Sequence, residues 1–322
     1  MVVAAPRTAV IRCLDGDHTL ELKDREVVAE RLLQTSRRHS FDPETDLDWD
    51  QPLDPDLFCM PPTLVSLYET PLWERLDHRR RVELSRHEMA SILSYGIYVE
   101  LLLMQGLAMH AYRRRVDSRH AAYALTEIAD ECRHSIMFGR LINKLGLRAV
   151  RLPAPMFQAG KLAGGLYVPV QKFAMTLVVE ETLDTMQRAL FPDESIQPVV
   201  REVTRIHVIE EARHIRYARE ELKHLVADLS PTRRRAYALS LTPAAAELSR
   251  ALIHPSCYRA VGLDPAVARR VALKSPHRRA TMAWAFQRTL GFFDEIGLLD
   301  GPARAIWHRT GLLTSPSRSS RP

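Results

Sequence analysis

Glycine is scarce in this chain, 13 among 322 residues, and that shortage argues against a sheet of repeated hairpins. The four cysteines, Cys13, Cys59, Cys132 and Cys257, lie far apart and form no Cys-x-x-Cys pair. A disulfide framework and a zinc ribbon are thereby excluded, and reduced thiols in a cytoplasmic protein are expected. No long apolar run is free of charge: the most apolar stretch, "ILSYGIYVELLLMQGLAM" (92–109), carries Glu100 at its centre, so no membrane span is expected. The N-terminus "MVVAAPRTAV" has no basic region leading into an apolar core, so no signal peptide is expected. Cations exceed anions, giving a net charge of +6, yet "HRRR", "YRRR", "TRRR" and "PHRR" are scattered among 39 acidic residues. With no stacking-aromatic motif beside them, they read as a solvated arginine-rich surface and not as a nucleic-acid site.

What is present is a set of long stretches with helical periodicity, in a chain that is 46% hydrophobic and 26% charged. Residues 1–62 read as an irregular N-terminal arm with one short helix over 24–38, after which the Asp- and Pro-rich "SFDPETDLDWDQPLDPDLFCMPP" wraps as an extended strap. Residues 63–230 form the helical core. One helix runs from about Val82 to Arg115, and a second follows a Ser118 cap to about Leu145. A Pro- and Gly-rich loop covers 146–168, and two further helices span 169–190 and 196–227. Residues 231–314 add C-terminal helices packing on the same domain, and "SPSRSSRP" (315–322) reads as a disordered tail.

Each of the four core helices carries a carboxylate where a core-facing helix should be apolar. Glu100 has Gly96, Ile97, Leu103 and Met104 as its helical neighbours, and no Lys or Arg lies between His87 and Tyr112. A buried carboxylate is costly unless it is paired or binds a metal. On the second helix Glu131 and His134 are three apart and share a face. On the third, Glu180 and Glu181 point about 100° apart, so one of the two faces a shared centre; the spacing leaves the choice open. On the fourth, Glu211 and His214 repeat the Glu-x-x-His spacing, and His207 lies one turn earlier, within a stripe about 60° wide. One such helix reads equally well as a salt-bridged surface. Four in the order Glu, ExxH, Glu, ExxH match the all-α, ferritin-like four-helix bundle that holds two irons or manganeses. Asp130 and Glu210 precede the two box glutamates, and Arg133 and Arg213 precede the histidines. That repeat suggests outer groups that orient the ligand imidazoles, although surface ion pairs would give it too.

The segments "ALTEIADECRHSIMFGRL" and "RIHVIEEARHIRYAREEL" resemble the di-iron N-oxygenases of the p-aminobenzoate N-oxygenase type, bacterial enzymes that oxidise aryl amines to nitro compounds. The resemblance covers roughly residues 55–225 in ligand order and spacing. The two boxes also occur in acyl-carrier-protein desaturases. His207 is more specific, because the N-oxygenase type has a third histidine one turn before the last bridging Glu. The resemblance implies that Glu100, Glu131 and His134 serve one iron and that Glu181, His207 and His214 serve the other, with Glu131 and Glu211 bridging. The family's third-helix Glu precedes Thr, so "EET" implies Glu181, before Thr182, over Glu180. Two iron ions, dioxygen as co-substrate and an external electron donor, a reductase or ferredoxin, are implied with it; manganese accepts similar ligands, and a homodimer is compatible.

One departure concerns the substrate. A carboxylate-bearing amine needs a cation or several donors, and the first core helix offers Tyr95 and Tyr98 near Glu100 but no Lys or Arg. Two alternatives to amine oxidation remain. A desaturase or hydroxylase of an acyl chain predicts a long apolar tunnel to the metals. A non-catalytic ferritin-like iron store fits poorly with the strap at 40–62 and the helices after 230.

Overall fold

The computed structural model describes residues 9–12, 19–22, 24–166 and 168–314. A small antiparallel hairpin, β1 (Ala9–Arg12) with β2 (Thr19–Leu22), pairs Ala9 with Leu22 and was not foreseen in the irregular N-terminal segment. Every other regular element among the described residues is helical, as expected for an all-α chain. Cys13 and the tail 315–322 lie outside the described residues.

Helix starts follow their caps. Asp24 accepts from Glu26 N at 2.9 Å and opens α1 (Arg25–Arg38). Thr70 caps the short α2 (Pro71–Glu74). Asp77 accepts from Arg80 N at 2.8 Å, so α3 (His78–Tyr112) begins a turn before the Val82 expected from periodicity. Ser118 caps α4 (Arg119–Lys144), its Oγ accepting from Ala121 N at 3.2 Å. The segment read as a loop contains a helix, α5 (Ala154–Gly165). Its glycines allow the close approach: a Cβ on Gly164 would lie 2.5 Å from Gln105 Oε1 of α3, and one on Gly160 would lie 3.4 Å from Leu102. Proline at the first turn opens α6 (Pro169–Gln187), α7 (Pro198–Ala227) and α8 (Pro231–Ala251). The chain continues through α9 (Ser256–Ala260), α10 (Pro265–Lys274), α11 (Pro276–Glu295) and α12 (Gly301–Thr310).

Helices α3, α4, α6 and α7 form the bundle. Two apolar clusters fill it, and on all four helices the candidate ligands fall where one cluster gives way to the other. On α3, Leu93 belongs to one cluster and Leu103 to the other, with Glu100 between; on α4, Ala124 and Met137 flank Glu131 and His134. On α7, Ile206 and Ile215 bracket His207, Glu211 and His214, and on α6 Leu177 and Leu183 flank Glu180. A polar layer is thus held between two dry ones, where every charge must find a partner. By length and composition α3 could cross a membrane, but here it buries Glu88 and Glu100 against the rest of the chain.

The strap lies over α4 and α7. Phe41 N donates to Glu210 Oε1 at 3.2 Å, Arg213 Nη1 to His39 O at 3.0 Å, and Lys144 Nζ to Trp49 O at 2.7 Å. Phe58 N donates to Ser195 O at 3.1 Å, which ties the far end of the strap to the entry of α7.

Glu88 sits beside Leu84 and Met89 in one of the two apolar clusters, accepting from Ser66 N at 2.9 Å and Ser66 Oγ at 2.5 Å, with Tyr258 Oη 3.0 Å from that hydroxyl. Burial pushes its carboxyl from 4.5 up to about 7. The folded chain therefore keeps a proton that the unfolded chain releases, so this contribution is present at low pH and is lost as pH rises from 4.5 towards 7. Glu88→Gln removes the titration. Across that window, urea melts should show the variant gaining up to about 3 kcal/mol on the parent, and parallel pH profiles would contradict the burial argument.

Candidate metal centre

Three overlapping groups of donors meet in the polar layer: Glu131, His134, Glu211 and His214; Glu100, His134 and His207; and Glu180, His207 and Glu211. Within each group the donor atoms lie within 4.8 Å of one another, and shared members make them one continuous cluster. No member exceeds 2% exposure, so water cannot satisfy these charges. His214 Nδ1 is 3.1 Å from Glu131 Oε1 and 3.1 Å from Glu211 Oε1; His134 Nδ1 is 3.2 Å from Glu131 Oε2 and 3.3 Å from Glu211 Oε1. His207 Nε2 stands 3.7 Å from Glu100 Oε1 and 3.6 Å from Glu211 Oε1, too far for a hydrogen bond.

The outer nitrogen of each imidazole has a partner, and the partners are exchanged between helices. His214 Nε2 of α7 meets Asp130 Oδ2 of α4 at 3.2 Å, while His134 Nε2 of α4 meets Glu210 Oε2 of α7 at 2.9 Å. Arg213 Nη2 bridges both carboxylates, at 3.2 Å from Asp130 and 3.4 Å from Glu210, and Arg133 also pairs with Asp130. His207 Nδ1 meets Gln187 Oε1 at 2.7 Å. With the outer protons so placed, Nδ1 of His134 and His214 would exchange their protons for a metal, and Nε2 of His207 points inward with no hydrogen-bond partner.

Glu181, implied by resemblance to be a ligand, is not at the cluster. Its carboxylate meets Arg219 Nη2 at 2.5 Å, Arg288 Nε at 3.6 Å and Thr289 Oγ1 at 3.2 Å, on the side facing α11. Glu180 takes the inward position, because consecutive helical residues point about 100° apart and only one can face the axis. Tyr98 is corrected for the same reason. It lies two residues before Glu100, on the opposite face, with its ring 6.4 Å from Phe157 of α5. Tyr95 is buried on a neighbouring apolar wall. Three further residues were not anticipated. Gln187 orients His207, Ser135 Oγ donates to Glu100 Oε2 at 2.5 Å, and Glu127 is a fully buried carboxyl one turn before Glu131. For Glu127 the i, i+4 spacing to Glu131 was the available signal.

The carboxylates here call for positive charge, and without metal they hold His134 and His214 well above their ordinary value in spite of burial. Burial pushes the Glu180 carboxyl well above its ordinary value, and Glu211, Glu131 and Glu100 push it further. Glu100 is raised by burial as well. Burial would also raise Glu211, but His214, His134 and His207 outweigh it and hold that group well below its ordinary value. Glu211 Oε2 and His207 Nε2 are buried with no hydrogen-bond partner. Carboxylate oxygens and imidazole nitrogens that converge with unused lone pairs fit a pair of first-row transition-metal ions.

A second group, His110, His120 and Glu221, meets beyond His214. There Arg114 and Arg25 already lie 3.3 and 3.6 Å from Glu221, and Tyr217 Oη lies 3.1 Å from each imidazole. Burial pushes His110 down to about 3 and His120 to about 4. The two guanidiniums supply the positive charge that a metal would otherwise bring.

Residues 22–297 match the family described as p-aminobenzoate N-oxygenase AurF. The chain belongs to the p-aminobenzoate N-oxygenase family. Family membership makes it an oxidoreductase, a di-metal oxygenase acting on a small molecule. Uncharacterised proteins of Mycobacterium tuberculosis and Mycobacterium bovis are 28% identical to this N-oxygenase-family chain over 298 residues, covering 89% of it and 87% of their own lengths. Among solved structures, an R2-like ligand-binding oxidase with aerobically reconstituted Mn/Fe cofactor aligns at 15% identity and a TM-score of 0.44, covering 83% of this chain and 93% of its own. A form of that oxidase with anaerobically reconstituted Mn/Fe cofactor aligns at 15% identity and a TM-score of 0.46, with the same coverage.

Proposed function

We propose that this chain oxidises an amine nitrogen, taking an aryl amine to its hydroxylamine and nitro forms. In this reading two irons would be held by Glu100, Glu131, His134, Glu180, His207, Glu211 and His214. The observation that carries it is His207, a third imidazole on the inward face of a cluster otherwise built from two Glu-x-x-His boxes. When bound, the metals would supply dioxygen binding and its reduction. The chain's own residues fix the geometry. Asp130 and Glu210 accept the outer protons of His214 and His134, and Gln187 Oε1 accepts that of His207, so each ring is locked in one tautomer and one orientation. The apolar layers on either side exclude water from the cluster.

The first transfer, amine to hydroxylamine, leaves the second oxygen atom as water and takes two electrons and two protons from an external donor such as a reductase or ferredoxin, whereas hydroxylamine and dioxygen together balance to the nitro compound and water. A homodimer is part of the proposal. Light scattering would read it as twice the chain mass. A cytoplasmic location fits the reduced thiols.

Metal analysis and product analysis test the reading together. Protein made with ample iron should carry about two metal ions per chain. After reduction and exposure to oxygen, mass spectrometry should find N-oxidised products from p-aminobenzoate or from aryl amines with a neutral para group. Metal content near zero in fully helical protein would sink the proposal. Desaturation of a fatty acyl thioester, with every amine untouched, would replace it with acyl-chain oxidation.

A further inference from the structure

A narrow cavity lies between α3, α6, α8 and α11. Its wall includes Gly96 and Val99 of α3, Val179 and Thr182 of α6, Leu248 of α8 and Phe286 of α11. The cavity measures about 20 Å³, and its lining is almost wholly apolar. No residue of the metal cluster lines it, but its wall includes near chain neighbours of two of them: Gly96 and Val99 stand one turn and one residue before Glu100, and Val179 immediately precedes Glu180. Val99 and Leu248 are partly exposed, whereas Val178 and Phe286 on the same wall are at most 1% exposed. The cavity therefore leads inward from the surface between α3 and α8.

Size and polarity select the guest. A pocket for a drug-sized ligand has roughly 300 Å³ or more, so an aryl ring does not fit and the amine must approach the cluster from another side. The space suits one molecule about as large as water. Water itself takes two to four polar partners in a buried site, and apolar cavities instead hold nonpolar guests such as xenon. Tyr95, Thr182 and Ser249 also contribute to this wall, but Ser249 Oγ already donates to Ala246 O at 2.8 Å and Thr182 Oγ1 is buried without a partner, so little polar surface faces the space. We infer that this cavity admits and holds dioxygen beside the Glu100 and Glu180 edge of the metal centre. The inference rests on the metal placement proposed above. It gives the gas a route separate from that of the amine, so bound amine need not block oxygen.

Xenon, a nonpolar sphere, tests the cavity in the full-length protein whether or not metal is bound. Crystals held under xenon should show the atom between Val179 and Phe286. Val179→Leu, which adds a methylene to the wall, should remove it. In the metal-loaded, reduced protein the same substitution should slow the second-order reaction with dioxygen several-fold, with metal content and helicity retained. Leu248→Phe, at the outer end and away from the cluster, should slow it as well. Absence of xenon from the parent cavity overturns the inference, and so does an oxygen rate constant indifferent to both substitutions. A chain that takes up xenon but no metal would overturn the metal placement instead, so the two failures read differently.

Discussion

Glu180→Gln and Glu181→Gln should have opposite effects. Replacing Glu180 should strip metal from the centre and reduce turnover by at least roughly 100-fold, beyond the usual cost of losing an outer partner of a ligand. The metal-free variant should nevertheless melt at a higher temperature than the metal-free parent, because it loses a buried carboxyl set against three others. Replacing Glu181 should leave the metal content unchanged and lower stability by about 2 kcal/mol, less than the 3–5 typical of a broken buried pair. The discount applies because the side chains of Arg219 and Arg288 are 29% and 50% exposed and can rehydrate. Elemental analysis and thermal melts with and without iron read both effects. Loss of metal in the Glu181 variant alone would show that the centre is built around the other carboxylate.

His207→Ala should abolish turnover while the bundle stays folded. The substitution removes one nitrogen donor and leaves Gln187 Oε1 buried without its partner. In iron-loaded protein, Mössbauer spectra should show one iron site altered and the other preserved. Gln187→Leu keeps the imidazole but frees its orientation, so metal affinity should fall by roughly 10–100-fold with a smaller loss of turnover. A Mössbauer spectrum unchanged by His207→Ala would make that residue a core histidine and leave a six-residue set of the desaturase type.

Much of this arrangement is legible in the chain because helical spacing converts directly into faces. Glu131 with His134, and His207 with Glu211 and His214, share stripes by arithmetic alone, and all five meet in the polar layer. Glu180 and Glu181 mark where that arithmetic stops. Both have apolar neighbours, and the deciding facts are Arg219 and Arg288, which arrive from elements distant in sequence. Resemblance favoured Glu181, whereas Glu180 is the one that stands in the donor cluster. Gln187 was missed for a related reason: it lies at the end of α6, and its value depends on the 2.7 Å contact to a histidine on another helix. Helix α5 was read as a loop because its glycines were taken as breakers, when against Gln105 they permit close packing. The β1–β2 hairpin was missed although the sequence between its strands contains Asp15-Gly16, a pair that favours hairpin turns.

The exchange of Asp130 and Glu210 between α4 and α7 has a consequence for the order of assembly. Neither box is complete on its own helix, since each imidazole takes its orientation from a carboxylate that the other helix delivers. A nascent or truncated chain that presents only "DECRH" has the residues of half a centre but no fixed ring to grip an ion. Metal capture must therefore follow the docking of the two helices. A chain that fails to fold would therefore expose two motifs but no formed metal site.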